Sequence, residues 1–279
     1  MSDPIIVGGA KNVQNTNANI PEEFIEKTFV VPTETIPLPS QGMFYPNGQK
    51  TVKIKYMTAD AEDILFSPEL ISSGKVLDVV LTEGVVDSQV SVEDMVSGDR
   101  NSILLELRKT GLGSEYKPGK MKCPSCGEMH EPTINLDDFK LRAASETPDA
   151  SGWFAVELPV TKKTIKFRIL NGQDEKFLSK TPKSLPGQKN KIKYNKTVTE
   201  RYIRQIMEVD NTTDKGYIKK FIGIMPLKDS AFLREYIKRV EPGVDTTANV
   251  ECDKCGHVYE EEIVLNPIKL FYPDANTDE

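Results

Sequence analysis

The chain has 279 residues, 38% of them hydrophobic and 28% charged, an ordinary globular balance that allows one large core or two smaller ones. Its 36 basic and 42 acidic residues leave a net charge of −6, so no long-range field draws the whole chain to nucleic acid or to an anionic membrane. No stretch approaches 18 consecutive apolar residues, and the opening residues lack the basic flank and apolar run of a secretory signal, which leads to the expectation of a soluble protein made in a cytoplasm that keeps thiols reduced.

In chain order, residues 1–35 read as a flexible arm, because "NVQNTNANIPEE" is rich in Asn and has little to bury. Next comes "IPLPSQGMFYPNGQ" (36–49), a tight loop in which Pro37, Pro39 and Pro46 fix the path while Phe44 and Tyr45 find cover. "KIKYMTADAEDIL" (53–65) then reads as a strand running into a helix, and "DRNSILLELRK" (99–109) as a helix that Asp99 would cap. A polar, proline-bearing stretch, "RAASETPDASG" (142–152), is the expected boundary between two halves.

The second half repeats the order. "KFRILNGQDEKFL" (166–178) sets beside 53–65, and "DSAFLREYIKR" (229–239) beside 99–109, so that Leu233 and Ile237 match Ile103 and Leu107. Between them lies a basic segment with Lys180, Lys183, Lys189, Lys191, Lys193 and Lys196 and no acid between Glu175 and Glu200. It is either a solvated loop or a docking site for an acidic surface or nucleic acid. Thr197 with Glu200 fits a capping box, and Ile203, Ile206 and Met207 form an apolar stripe of one helix. The chain closes on an acidic tail, 273–279.

All four cysteines fall in two look-alike stretches, "KCPSCG" (122–127) and "ECDKCG" (251–256), with 125 residues between the inner two. Two cysteines two residues apart reach one ion from a tight turn, and the glycines after them, Gly127 and Gly256, allow the positive φ that closes it. Each knuckle supplies half a tetrahedral shell. A single structural zinc held by Cys123, Cys126, Cys252 and Cys255 is therefore the simplest reading. Redox thiols fit poorly, since neither pair follows a strand at the head of a helix. His130 and His257 could replace a cysteine or be polar neighbours. The fold class expected is α+β: two related subdomains, 36–141 and 153–272, joined at a zinc-ribbon-like four-cysteine site.

Sequence motifs of phosphate loops, dinucleotide folds, metalloproteases and serine hydrolases are absent. With both histidines beside the knuckles, a triad would have to be built inside the metal site. The expectation is a protein that is not an enzyme and takes no small-molecule substrate.

The ordered set "LPSQGMFYP", "TADAEDIL", "DRNSILLELRKTGLGSEY" and "CPSCG" resembles the baseplate hub and hub-assembly family of T-even-type contractile-tailed bacteriophages. The likeness is strong over 36–140 and follows the general plan beyond. It implies a non-enzymatic role in building the central hub, with other hub and tail proteins as partners and no membrane, located in the host cytoplasm during assembly and either released afterwards or kept in the virion baseplate. The competing reading is a zinc-ribbon nucleic-acid-binding factor using Lys-rich 176–196, against which the acidic net charge weighs.

Overall fold

A computed structural model describes residues 30–180, 197–263, 265 and 270–271. Helix and sheet are mixed throughout, in keeping with the expected α+β class. Strand β1 (Thr33–Pro37) and strand β2 (Thr51–Lys55) form an antiparallel hairpin, and strand β3 (Val85–Asp87) pairs on the far side of β2. β1 opens three residues before the expected boundary at 36. Three short helices, Ala59–Phe66, Pro68–Ser72 and Val76–Gly84, connect β2 to β3. The longest helix among the described residues, Ser97–Leu112, follows and buries Ile103, Leu104, Leu105 and Leu107.

Further along, the same order returns. Phe154–Glu157 and Thr164–Phe167 form a hairpin, and Ile206–Val209 pairs on the far side of its second strand, again with helices in between. Helices Lys215–Ile224 and Leu227–Val240 follow. Leu233 and Ile237 are buried in Leu227–Val240 as Ile103 and Leu107 are in Ser97–Leu112. One sequence expectation fails here. Ile206 and Met207 do not extend the helical stripe begun by Ile203, because the helix Thr197–Gln205 stops and the next four residues become strand. The β-branched pair Ile206 and Val209 and the open edge of the hairpin override the helical spacing.

Asp99 and Asp229 also depart from expectation, in the same way. Neither caps its own helix; each is the third residue of its helix and fully buried. Asp99 accepts the Ser40 N–H at 2.8 Å, the Ser40 hydroxyl at 2.5 Å and the Tyr45 hydroxyl at 2.6 Å. Tyr45 in turn accepts the Val96 N–H at 3.1 Å. Asp229 accepts the Val160 and Thr161 N–H groups at 2.7 and 3.0 Å. In both halves, then, a carboxylate in the first turn of the long helix grips the loop between the two hairpin strands. The loops themselves close alike: the Leu38 N–H reaches the Lys50 carbonyl at 2.8 Å, and the Leu158 N–H reaches Lys163 at 2.9 Å.

Burial pushes the Asp99 carboxyl up, and the bonds from Ser40 and Tyr45 offset this only in part. Burial acts on Asp229 as well, but the donors from Val160 and Thr161 outweigh it and hold that carboxyl below its usual range. Gly42 lies in the first loop at φ 78°, where a Cβ would run into the Gly48 carbonyl.

From Thr33 onward the chain forms one compact unit. Lys140–Arg142 pairs antiparallel with Gly243–Asp245. The Gly172 N–H reaches the Met95 carbonyl at 3.1 Å, and the Ser97 N–H reaches Leu170 at 3.0 Å. Arg100, almost fully buried, spans the seam by donating to Asp78 at 2.6 Å, the Val92 carbonyl at 2.8 Å and Glu175 at 3.2 Å. Segment 143–152 is held against the helix Leu227–Val240, with Glu146 bonded to Tyr236 and Arg239. Gly98 faces the Pro242 carbonyl so closely that no Cβ fits.

Two predictions follow from this packing. Gly98→Ala forces helix and strand apart and should lower stability by about 1–3 kcal/mol, whereas Gly223→Ala, exposed and with open space around it, should be neutral or stabilising. Asp99→Ala leaves the Ser40 N–H and the Tyr45 hydroxyl buried without an acceptor and should cost about 3 kcal/mol. Asp229→Ala, whose donors are only part-buried, should cost less. Urea midpoints of the four variants measure both differences.

Candidate metal centre

Each cysteine pair lies at the turn of a hairpin. Met121–Lys122 pairs with Met129–His130 around the first, and Thr247–Glu251 with Val258–Glu262 around the second. Their backbones close identically. The Cys123 N–H reaches the Glu128 carbonyl at 3.0 Å and the Gly127 N–H reaches Cys123 at 3.0 Å; the corresponding Cys252–His257 and Gly256–Cys252 bonds are 2.9 and 2.8 Å. Gly127 and Gly256 adopt φ of 76° and 70°, the left-handed turn for which glycine was expected at these positions.

The structure brings all four sulfurs within 4.8 Å of one another. The pairing is reciprocal: the first cysteine of each knuckle faces the second of the other, with Cys123–Cys255 at 3.7 Å and Cys126–Cys252 at 3.9 Å. Zinc–thiolate bonds of 2.3 Å at tetrahedral angles would place sulfurs about 3.8 Å apart. No disulfide joins them. Cys123 and Cys252 are buried, while Cys126 and Cys255 reach the surface.

Electrostatics adds a reason for a cation. The Cys126 N–H, with further bonds from its neighbours, draws the Cys123 thiol down to about 6. At Cys255 the His257 N–H acts in the same direction, but burial and the adjacent sulfurs outweigh it and push the thiol up to about 12. Four sulfurs this close cannot all give up their protons without a positive charge among them. A metal ion would supply that charge, and the soft donor set of four cysteines is compatible with one.

Neither histidine is part of the sulfur cluster. His257 is exposed and stacks on Tyr259, with ring centroids 6.1 Å apart and planes at 13°. His130 is buried, and its Nε2 lies 2.8 Å from the Tyr259 hydroxyl, joining one hairpin to the other. Of the candidate docking lysines, Lys183, Lys189, Lys191, Lys193 and Lys196 lie outside the described residues. Lys180 is described only as the last backbone position of the helix Gly172–Lys180. Among the described residues no helix is long and apolar enough to cross a membrane.

Sequence reasoning passed over Ser40 and Tyr45 as partners of a buried carboxylate, read Asp99 only as a cap, and named His130 only as a possible ligand or polar neighbour. The repeated Leu-Pro at 38–39 and 158–159, each followed about 60–70 residues later by a helix with Asp in its first turn, was the available signal for the buried carboxylates.

A family model described as T4 bacteriophage base plate protein matches residues 40–272. Searches of curated proteins and of solved structures return no match. The matched span begins at Ser40, in the loop that Asp99 grips, and includes both knuckles.

Since open space surrounds Gly256 and only the tip of Lys122 comes near Gly127, alanine at either position meets a backbone penalty alone, about 1–2 kcal/mol. The two variants should lower the thermal midpoint by similar amounts, because the two turns are built alike.

Proposed function

This chain belongs to the T4 bacteriophage base plate protein family, and from that premise we propose that it is a structural or assembly subunit of the central hub of the tail baseplate. Family membership implies a structural part among other phage tail proteins and a place in the virion tail. The finer reading adds three things: a position in the hub, a structural zinc, and assembly in the host cytoplasm before incorporation.

The observation that carries the zinc reading is the reciprocal 3.7 and 3.9 Å approach of sulfurs from two distant knuckles. Zinc would be held by Cys123, Cys126, Cys252 and Cys255 in a zinc-ribbon-like arrangement. With four thiolate ligands it leaves no position for water or substrate, so its contribution is to the fold. No catalytic step is assigned to this chain.

The same reading takes 36–141 and 153–272 as related subdomains with 142–152 between them. Support comes from the repeated element order, from Asp99 and Asp229 gripping equivalent loops, and from the matched knuckles. The zinc then sits where the two copies of the plan meet. The segment bearing Lys180, Lys183, Lys189, Lys191, Lys193 and Lys196 is assigned to docking on an acidic surface of a neighbouring hub or tail protein.

Native mass spectrometry tests the metal: one zinc per chain is expected, lost on treatment with a strong chelator together with a fall in thermal midpoint. Cys123→Ser and Cys252→Ser should be equally damaging, since either opens the same shell. One silent and one severe variant would show that the knuckles do not share an ion. Mixing the purified chain with candidate hub subunits in the same instrument tests the hub assignment.

A further inference from the structure

His130 presents an unusual balance of contacts. Its side chain is completely enclosed, its Nε2 is engaged by Tyr259 at 2.8 Å, and its Nδ1 has no hydrogen-bond partner. Buried ring nitrogens are rarely left so. A His130 ring nitrogen, the Cys252 sulfur and an Asp253 carboxylate oxygen lie within 4.8 Å of one another. The nearest approach of Asp253 to Nδ1 is 4.0 Å, too long for a hydrogen bond, and Asp253 is half exposed.

The surroundings also select the tautomer. The Asp253 carboxylate near Nδ1 is an acceptor, and the Cys252 sulfur close to the ring can accept as well, so an Nδ1 lone pair would face electron-rich atoms. With the proton on Nδ1, Nε2 is left to accept the Tyr259 hydroxyl 2.8 Å away. Neither acceptor is bonded to Nδ1; Asp253 is half exposed, whereas Cys252 is buried as His130 is. His130 and Tyr259 stand at matching places in the two hairpins, each four residues after the second cysteine of its knuckle, so the link crosses the seam where the knuckles meet.

We propose that His130 is a positioning residue of the metal centre, donating Nδ1–H to the Cys252 thiolate while the Tyr259 hydroxyl fixes its tautomer at Nε2. This rests on the zinc reading above and goes beyond it by giving a buried histidine a defined task. Two positive charges from a zinc ion leave a four-thiolate shell with net negative charge, and an N–H donor to one sulfur spreads part of it.

Cobalt(II) titration of the full chain, read by its sulfur-to-metal charge-transfer band and by competition with a chelator, tests this. An asparagine amide nitrogen falls where Nδ1 was, and a glutamine amide where Nε2 was. His130→Gln should weaken metal affinity about 10-fold and move the band, and His130→Asn should restore both. Tyr259→Phe should give an intermediate loss and keeps the test open if His130→Gln does not fold. The proposal is overturned if His130→Gln matches the wild type, if the Gln and Asn variants are displaced equally, or if Asp253→Ala reproduces the Gln effect. Absence of a tetrahedral thiolate spectrum in the wild type would instead remove the zinc reading, and this proposal with it.

Discussion

Four cysteine sulfurs from two hairpins 129 positions apart lie within 4.8 Å of one another, a crowding compatible with a metal ion among them, and the local backbone is built around that approach. Both turns adopt the same closed form, both place a glycine at positive φ, and both bury the first cysteine while leaving the second at the surface. A longer intervening chain adds only slowly to the entropy of closure. Distance along the sequence is therefore no obstacle to such a junction; the demand falls on the hairpins, which must bring four sulfurs to tetrahedral spacing.

The other anchor is the carboxylate in the first turn of each long helix. Asp99 joins helix to loop through Ser40 and Tyr45, and Asp229 does so through Val160 and Thr161. An isolated buried carboxylate is costly, and two or three donors reduce that cost while fixing loop geometry. The different donors explain the opposite displacement of the two groups from their ordinary value. Donors from Val160 and Thr161, with the Lys162 charge nearby, outweigh burial at Asp229, whereas Asp99 remains dominated by burial.

Much of this was legible in the residues. The four cysteines were named because ligand chemistry confines them to short spacings, and strand-to-helix junctions at 53–65 and 166–178 were visible because periodicity changes there. The helices carrying Ile103, Leu107, Leu233 and Ile237 were found for the same reason. What escaped was decided by tertiary contact. Asp99 and Asp229 sit where a cap is ordinarily useful, and only the folded loops reveal that they bond elsewhere. Ile206 and Met207 follow a helical stripe until the edge of a hairpin recruits them. His130 looks like a bystander until Tyr259, far along the chain, is placed beside it.

Arg108 carries a further consequence. Nearly buried in the longest helix, it donates to the Gly113 and Glu115 carbonyls and, at 2.7 Å, to the carbonyl of Leu270. During synthesis on a ribosome, a guanidinium in the early half must wait for one of its acceptors until residue 270 has emerged, and the Arg142 strand must wait for Gly243. The first half therefore completes these contacts only after most of the chain has been made.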